Sequence, residues 1–340
     1  MLPLALSALA LASSALAAPL VAPSRLVERA NSSSSSGFNI TYSSPRNSTY
    51  DSLPKLLIMA TGGTIAGSSA SNTDSTAYTA GVVGIAALVE AVPELLTTAQ
   101  IDGVQVSNVG SESLTDAIAL NLSKLSNKAL CGADAEYDGV VITHGTDTLE
   151  ETAFLMDITV NCSKPVVVVG AMRPSTAISA DGPNNLLSAA RTAVSKYSRD
   201  RGALIVLNDR ICSAFYCQKN EANTVDTFTA PEFGFLGHLL SVEPFYHYPA
   251  VQPTFKKTFD ISNVDALPPV EIFYGYQGVD FHLINSSIAS GAKGIITAGT
   301  GAGSIAKAGL PTIQAAVEGG IPVIASTKIN NGFVVPSSDN

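Results

Sequence analysis

The sequence has no tryptophan, four cysteines, four histidines and few charged residues, which make up 14% of its 340 positions. With 28 acidic against 19 basic residues the net charge is −9 at pH 7, which disfavours phosphate backbones and anionic membranes as partners. We therefore expect no nucleic-acid partner and no membrane partner. The sequence also contains no GxSxG motif, which argues against a serine hydrolase with a nucleophile elbow.

The cysteines are few, but their even number predicts two disulfides in a secreted chain. Spacing pairs Cys212 with Cys217 across a tight loop, which leaves Cys131 for Cys162. Neither histidine nor aspartate surrounds these cysteines at metal-ligand spacing, so we expect no metal. Glycosylation sequons, which agree with an oxidising compartment, occur at Asn31, Asn39, Asn47, Asn121, Asn161 and Asn285.

Residues 1–18, MLPLALSALALASSALAA, form an apolar run of signal-peptide length that ends in a small-residue cleavage site. This run predicts a secreted protein. Residues 19–52 are rich in Ser, Asn and Pro and have no apolar periodicity, which indicates a flexible leader.

Short apolar runs recur from residue 55 onward and alternate with stretches of helical apolar spacing. Because the runs are continuous, they are typical of parallel strands that are covered on both faces. They predict an α/β fold with an open, mostly parallel sheet in a large N-terminal domain at 53–250. Prolines and polar residues at 251–268 predict a linker, which leaves a smaller α/β C-terminal domain at 269–340. Ligands in such folds bind beyond the carboxyl ends of the strands.

The first candidate motif is TGGTIAG, residues 61–67, directly after the predicted strand KLLIMA. Its paired glycines allow close backbone approach and present Thr64 on a tight turn. A structural glycine turn and a phosphate-binding loop are the alternative interpretations. The motif has neither the GxxxxGK[ST] nor the GxGxxG pattern, which argues against a nucleotide.

The second candidate motif is THGTDTLEET, residues 143–152, where a predicted strand leads into a helix. Asp147 and Glu150 fit a helix capping box, which is a purely structural interpretation. Alternatively, the Asp147 carboxylate holds a substrate ammonium or orients a lysine, and Thr146 faces the first threonine. We interpret His144 as a core histidine, so a lysine or a tyrosine must activate a threonine nucleophile.

Two further segments complete the pattern. VGSESLTD, residues 109–116, places Ser111 and Glu112 before a helix, although Ser113 and Asp116 also fit a capping box. PVVVVGAMRPSTAISADGPNNL, residues 165–186, is a predicted strand followed by a loop rich in Gly, Pro, Ser and Asp, as functional loops are.

In their order and spacing, TGGTIAG, GSESLTD, HGTDTLEETAF and KPVVVVGAMRPSTAISADGPNNL closely resemble the bacterial-type (type II, secreted) L-asparaginases, over residues 54–327. The resemblance implies that Thr64 is the nucleophile and that Tyr78, on a mobile loop, closes over substrate and assists it. It also implies a catalytic group of Thr146, Asp147 and Lys219, in which Lys219 supplies the activating cation.

The same resemblance assigns substrate binding to Gly63, Ser111, Glu112, Thr146, Asp147 and Ser304, the last of which reaches across subunits. It implies a homotetramer that needs no cofactor. The reaction it implies is hydrolysis of L-asparagine to L-aspartate and ammonia through an acyl-enzyme on threonine.

Members of this family continue beyond the position where this chain stops, so the resemblance implies a truncated C-terminal domain. Two alternatives stay open. A glutaminase-asparaginase that also accepts L-glutamine would differ by room for one methylene group. A truncated, non-catalytic amino-acid-binding glycoprotein would keep the fold without releasing ammonia.

Overall fold

The computed structural model describes residues 37–46, 50–69, 71–73, 79 and 81–335, so the predicted signal peptide, most of the leader and Tyr78 lie outside the described residues. The strands are β1 Tyr42–Ser43, β2 Lys55–Gly62, β3 Gln100–Val109, β4 Gly139–Thr143, β5 Val166–Val169, β6 Ala203–Leu207, β7 Arg210–Ser213, β8 Gln218–Lys219, β9 Phe228–Thr229, β10 Gly237–Leu240, β11 Glu243–Tyr246, β12 Val270–Tyr274, β13 Gly294–Gly299 and β14 Val323–Thr327. The helices are α1 Ile85–Glu90, α2 Asp116–Leu130, α3 Leu149–Thr159, α4 Gly182–Val194, α5 His282–Ala289 and α6 Leu310–Glu318. None of these helices is long and apolar enough to cross a membrane.

The larger sheet has nine strands in the order β1-β3-β2-β4-β5-β6-β7-β10-β11. The central strands from β3 to β6 are parallel, whereas β1 at one edge and β7, β10 and β11 at the other are antiparallel. The central strands carry continuous apolar runs because helices cover both faces of the sheet. The predicted open, mostly parallel sheet is confirmed.

The burial of strand β2 on both faces fixes its register in the sheet. Leu56 and Ile58 pack in the core that α1 and α4 cover, and Leu57 and Met59 pack in the core that α2 and α3 cover. All four side chains are fully buried. A register slip of one residue would exchange the two faces, so burial on both sides fixes where β2 ends and where the following loop begins.

A second sheet consists of the parallel strands β12, β13 and β14. Phe273 and Ile295 face α5 and α6 and form a small core. On the opposite face Ile272 is 68% exposed and Ile324 is 60% exposed. Because parallel sheets are normally covered on both faces, this apolar face is a surface that another segment or chain is expected to cover.

Residues 247–269, between the two sheets, contain no helix or strand. This segment is anchored to α3, because Lys256 Nζ donates to Asp157 Oδ1 at 2.8 Å and the Phe259 N–H donates to Ile158 O at 2.7 Å. Asp157 is 2% exposed. Burial raises its pKa, and the hydrogen bond from Lys256 opposes that rise. The domain limits given above stay a prediction from the sequence.

Two disulfides join Cys131 with Cys162 and Cys212 with Cys217, the pairings that spacing indicated. The first connects the end of α2 with the segment after α3, across 31 positions. By restricting the unfolded chain, a loop of this length stabilises the fold by about 3–4 kcal/mol. The second closes the turn between β7 and β8.

Candidate active site

Three polar loops meet at the carboxyl ends of adjacent parallel strands. The sheet order β3-β2-β4 places the residues that follow these strands side by side. They include Ser111, Thr64 and Thr146, which are 4%, 5% and 5% exposed. The topology therefore gathers three hydroxyl groups at the edge of the sheet where ligands bind in this class of fold.

Glycine is required where these loops touch. Gly63 has a φ of 77°, and a Cβ atom there would collide with the backbone of Gly145. A Cβ atom at Gly145 would lie 2.7 Å from Ser111 Oγ. Close backbone contact, which only glycine allows here, thus holds the Thr64 turn against the Thr146 loop.

Lys219 reaches the Thr146 loop from a distant part of the chain. Its Nζ donates to Thr146 Oγ1 at 3.0 Å and to Asp147 Oδ1 at 2.6 Å. The Lys219 side chain is 15% exposed, whereas that of Asp147 is 62% exposed. The ammonium group therefore connects a buried hydroxyl with a carboxylate that is open to solvent. The structure brings together the three residues that the family resemblance grouped.

Glu150 holds Lys219 in place, and the sequence analysis did not identify it as a functional residue. Its Oε2 accepts a hydrogen bond from the Lys219 backbone N–H at 3.1 Å. Burial raises the pKa of Glu150, and this hydrogen bond opposes the rise. The capping box expected for Asp147 and Glu150 does not form, because Thr148 is the N-cap of α3 and Asp147 binds Lys219. No local signal in the sequence marks Glu150, because its partner Lys219 lies 69 positions away.

Ser111 is tied to the Asp147 loop. Its Oγ accepts a hydrogen bond from the Asp147 backbone N–H at 3.1 Å, and Thr148 Oγ1 donates to Ser111 O at 2.9 Å. The exposed Glu112 carboxylate instead accepts a hydrogen bond from Ser113 Oγ at 3.3 Å.

His144 is a buried core histidine, as the sequence indicated. Its Nδ1 lies 2.7 Å from Gly145 O and its Nε2 lies 2.8 Å from Thr152 Oγ1. Burial lowers its pKa, which favours the neutral ring. Both ring nitrogens are engaged, so this histidine links the Gly145 backbone to Thr152 of α3.

One predicted site residue, Ser304, has other surroundings. Ser304 is exposed in the loop after β13, where it forms a bridge with Thr300. No hydrogen bond of the described chain joins Ser304 to the Thr146 loop. Tyr78 lies outside the described residues. The described part of the chain also contains no cluster of three or more His, Cys, Asp or Glu side chains that could hold a metal ion.

Two buried threonine hydroxyls, a lysine ammonium and an exposed carboxylate thus converge at one end of the sheet. A hydroxyl group becomes an effective nucleophile when a neighbouring group assists removal of its proton. The exposed carboxylate can pair with a cationic substrate group. This combination suits covalent hydrolysis of a small substrate that carries an ammonium group.

Comparison with known proteins agrees with this chemistry. The family model "Asparaginase, N-terminal" matches residues 55–252, and "Glutaminase/Asparaginase C-terminal domain" matches residues 269–340. Probable L-asparaginase 1 of Schizosaccharomyces pombe is 51% identical over 83% of this chain and 78% of its own length. A probable periplasmic L-asparaginase of Haemophilus influenzae is 40% identical over 84% of this chain and 81% of its own length.

A solved structure shows the same architecture. The crystal structure of a probable cytoplasmic L-asparaginase from Campylobacter jejuni superposes with a TM-score of 0.80 at 40% identity, over 84% of this chain and 87% of that one. Family models over both sheets and relatives at 40–51% identity leave one conclusion. The chain belongs to the asparaginase family of hydrolases.

Proposed function

We propose that this protein is an L-asparaginase that hydrolyses L-asparagine to L-aspartate and ammonia, with Thr64 as the nucleophile. The observation that carries the proposal is the placement of Lys219 Nζ 3.0 Å from Thr146 Oγ1 and 2.6 Å from Asp147 Oδ1. Gly63 and Gly145 pack this group against the turn that presents Thr64.

Substrate binding follows from the charges at the site. The exposed Asp147 carboxylate pairs with the α-ammonium of the amino acid, and Glu112 contributes a second negative charge nearby. Ser111 Oγ already accepts a hydrogen bond from the Asp147 N–H, so its own proton is left to donate to the α-carboxylate. These contacts fix the amino-acid end of the substrate and direct its side-chain amide toward Thr64.

The chemical step is attack of Thr64 Oγ1 on the side-chain amide carbon, which gives a tetrahedral intermediate and then an acyl-enzyme as ammonia leaves. Tyr78 assists Thr64 in this proposal. Backbone N–H groups of the strand-end loops stabilise the oxyanion. The Gly63 N–H is not one of them in this structure, because it donates to Val109 O at 3.0 Å.

Water completes the reaction by attacking the acyl-enzyme. Lys219 donates to Thr146 Oγ1, which leaves the Thr146 hydroxyl proton directed elsewhere and keeps the hydroxyl in a fixed orientation. We infer that the Thr146–Lys219 pair orients this water and assists its proton transfer.

We further propose that the protein is secreted and acts as a homotetramer. Its apolar first 18 residues, its two disulfides and its sequons support secretion. The open apolar face around Ile272 and Ile324 supports assembly, because association would remove it from water. Ser304 is proposed to serve a neighbouring subunit's site, since no hydrogen bond of the described chain joins it to the Thr146 loop.

Ammonia release from L-asparagine and from L-glutamine by the purified chain, with its oligomeric mass, tests the function. We expect release from L-asparagine and a loss of about 10³-fold or more in Thr64→Val, whose side chain is nearly isosteric. L-Aspartate binding by Thr64→Val, measured by calorimetry, should persist. A folded parent chain that binds L-aspartate and releases no ammonia would instead support the non-catalytic alternative.

A further inference from the structure

A cavity of about 570 Å³ lies away from the candidate active site, between the ends of α2 and α3 and the segment at 258–262. Its walls include Lys124 and Asn127 of α2, Asn161 after α3, and Thr258 and Phe259 of the segment that leads to the smaller sheet. Ligand pockets begin at about 300 Å³, so the cavity has room for a sugar residue.

The lining of this cavity suits a carbohydrate. Phe259 is 54% exposed and offers an aromatic face on which the apolar side of a sugar ring packs. Lys124 and Thr258 carry polar groups that can bond sugar hydroxyls. An apolar platform with a few polar groups is the usual composition of a site that binds a small organic group.

One wall residue is itself a carbohydrate acceptor. Asn161 begins the sequon Asn161-Cys162-Ser163. It is exposed, and it lies in the irregular segment between α3 and β5. Its backbone N–H donates to Asn127 Oδ1 at 3.4 Å, which holds the sequon at the rim of the cavity.

The other described sequons have different surroundings. Asn121 and Asn285 are exposed on the helices α2 and α5, and Asn39 is exposed near the start of the described chain. None of these three lines the cavity. Acceptor asparagines lie in surface loops, so Asn161 combines a favourable local structure with a place for the attached sugar.

We propose that Asn161 carries an N-linked glycan whose first sugar occupies this cavity. The proposal rests on the secretion proposed above. In the transfer, Asn161 Nδ2 forms a bond to C1 of a lipid-diphosphate-linked oligosaccharide, the bond from C1 to the diphosphate oxygen breaks, the lipid diphosphate leaves, and the amide nitrogen loses one proton.

Transfer precedes folding of this region. In the folded chain, Cys162 is bound to Cys131, and the Asp200 N–H donates to Ser163 O at 2.9 Å. The two residues that follow the acceptor are therefore fixed, and the sequon cannot extend into a transferase. Once attached, the sugar joins the ends of α2 and α3 to Phe259 and strengthens the anchoring of this segment.

The test is secretion of the full chain with its own leader from a eukaryotic host that N-glycosylates proteins. An endoglycosidase trims each glycan to one N-acetylglucosamine, and peptide mass spectrometry then reports the occupancy of every sequon. We expect Asn161 to carry a glycan. The Ser163→Ala variant keeps Asn161 but cannot be glycosylated there, and we expect the Tm of the trimmed parent to be about 2–4 °C higher than that of this variant. Ammonia release should not change.

Phe259→Ala provides the second arm, because it removes the platform and leaves the sequon intact. The glycan occupancy of Asn161 in Phe259→Ala should equal that in the parent. Adding Ser163→Ala to Phe259→Ala should then leave the Tm unchanged. Asn121→Gln serves as the matched control and should not alter the Tm difference.

The outcomes separate the two proposals. A secreted protein with an unmodified Asn161 and other sequons occupied overturns the glycan site and leaves secretion standing. A Tm difference that persists in Phe259→Ala overturns the placement of the first sugar in the cavity and also leaves secretion standing. A chain that is retained in the cell with every sequon unmodified overturns secretion as well.

Discussion

Replacement of Lys219 by methionine tests whether its ammonium group belongs to the catalytic machinery. Methionine has a similar length but no donor, so Thr146 Oγ1 and Asp147 Oδ1 lose the hydrogen bonds now measured at 3.0 and 2.6 Å. A positioned proton-transfer group contributes about 10²- to 10⁴-fold, and we expect kcat for ammonia release from L-asparagine to fall by that factor. In free energy this is about 3–5 kcal/mol of transition-state stabilisation.

The same substitution should have little effect on folding. The Asp147 carboxylate is 62% exposed, and such solvent-screened pairs contribute about 0–1 kcal/mol, so the Tm should change by less than about 4 °C. Lys124→Met is the control, because Lys124 forms a long ion pair at 3.9 Å with Asp265. A coupled ammonia assay at saturating L-asparagine and a circular dichroism melt provide the readouts. Lys219→Met with an intact melt and more than about a tenth of the parent kcat would refute the reasoning.

Substitutions at four other positions test the contact between the Thr64 turn and the Thr146 loop, the anchoring of the segment at 247–269 to α3, and the support of Lys219. Gly63→Ala forces a Cβ atom into Gly145 at a φ of 77°, and we expect a loss of at least about 1–3 kcal/mol in urea unfolding together with loss of activity. Lys256→Met leaves buried Asp157 without its cation, which should lower the free energy of unfolding at pH 7 by about 3–5 kcal/mol. Because burial raises the Asp157 pKa, the folded state binds this proton more tightly than the unfolded state does. The free energy of unfolding of the parent, relative to that of Asp157→Asn, should therefore fall as the pH rises from the ordinary aspartate range through the raised pKa. Thermal melts at several pH values measure this difference. Glu150→Ala removes the acceptor of the Lys219 N–H and should lower kcat about tenfold, whereas Glu150→Gln should retain activity. If Glu150 acts through Lys219, Glu150→Ala should cause no further loss of activity in the Lys219→Met background.

The central strands could be predicted from sequence because their physics is local. Runs such as the four valines of β5 are buried on both faces, and their short length and β-branched side chains favour a buried strand over a helix. Parallel order then places the residue after each strand at one edge of the sheet. The positions of Thr64 and Thr146 in one site follow from this rule and the glycines beside them.

Strand β3 was not predicted, although it is the longest in the sheet. Polar residues interrupt its apolar pattern, and the structure shows how they are accommodated. Gln105 Nε2 donates to Ala60 O at 3.3 Å and to Ser107 O at 2.7 Å, and Ser107 Oγ donates to Thr61 O at 3.0 Å. These groups find their partners on the backbone of β2 and β3, which a single-sequence pattern does not contain.

The two capping boxes that the sequence allowed as structural interpretations do not form, for a physical reason. Ser113 fits a capping box, but the structure places Thr115 at the N-cap of α2, where it accepts a hydrogen bond from the Ile118 N–H at 3.4 Å. In α3 the Asp147 carboxylate is likewise used elsewhere, by Lys219. The capping-box rule considers only the residue types three positions apart. Where a carboxylate binds also depends on a charged partner from another part of the chain.

Lys219 is the residue that local reasoning could least have found. It lies 73 positions from Thr146 on the two-residue strand β8, and neither β8 nor its partner β9 has an apolar period. Only the resemblance to a family predicted Lys219 as a site residue. In the structure, Glu150 holds Lys219 in position. The site therefore has two parts. In the first, the backbones of Gly63 and Gly145 are in close contact. In the second, the hydrogen bond from the Lys219 N–H to Glu150 and the Lys219 side chain set the geometry. Substitutions in the first part should disturb fold and activity together, and substitutions in the second should remove activity while the fold persists.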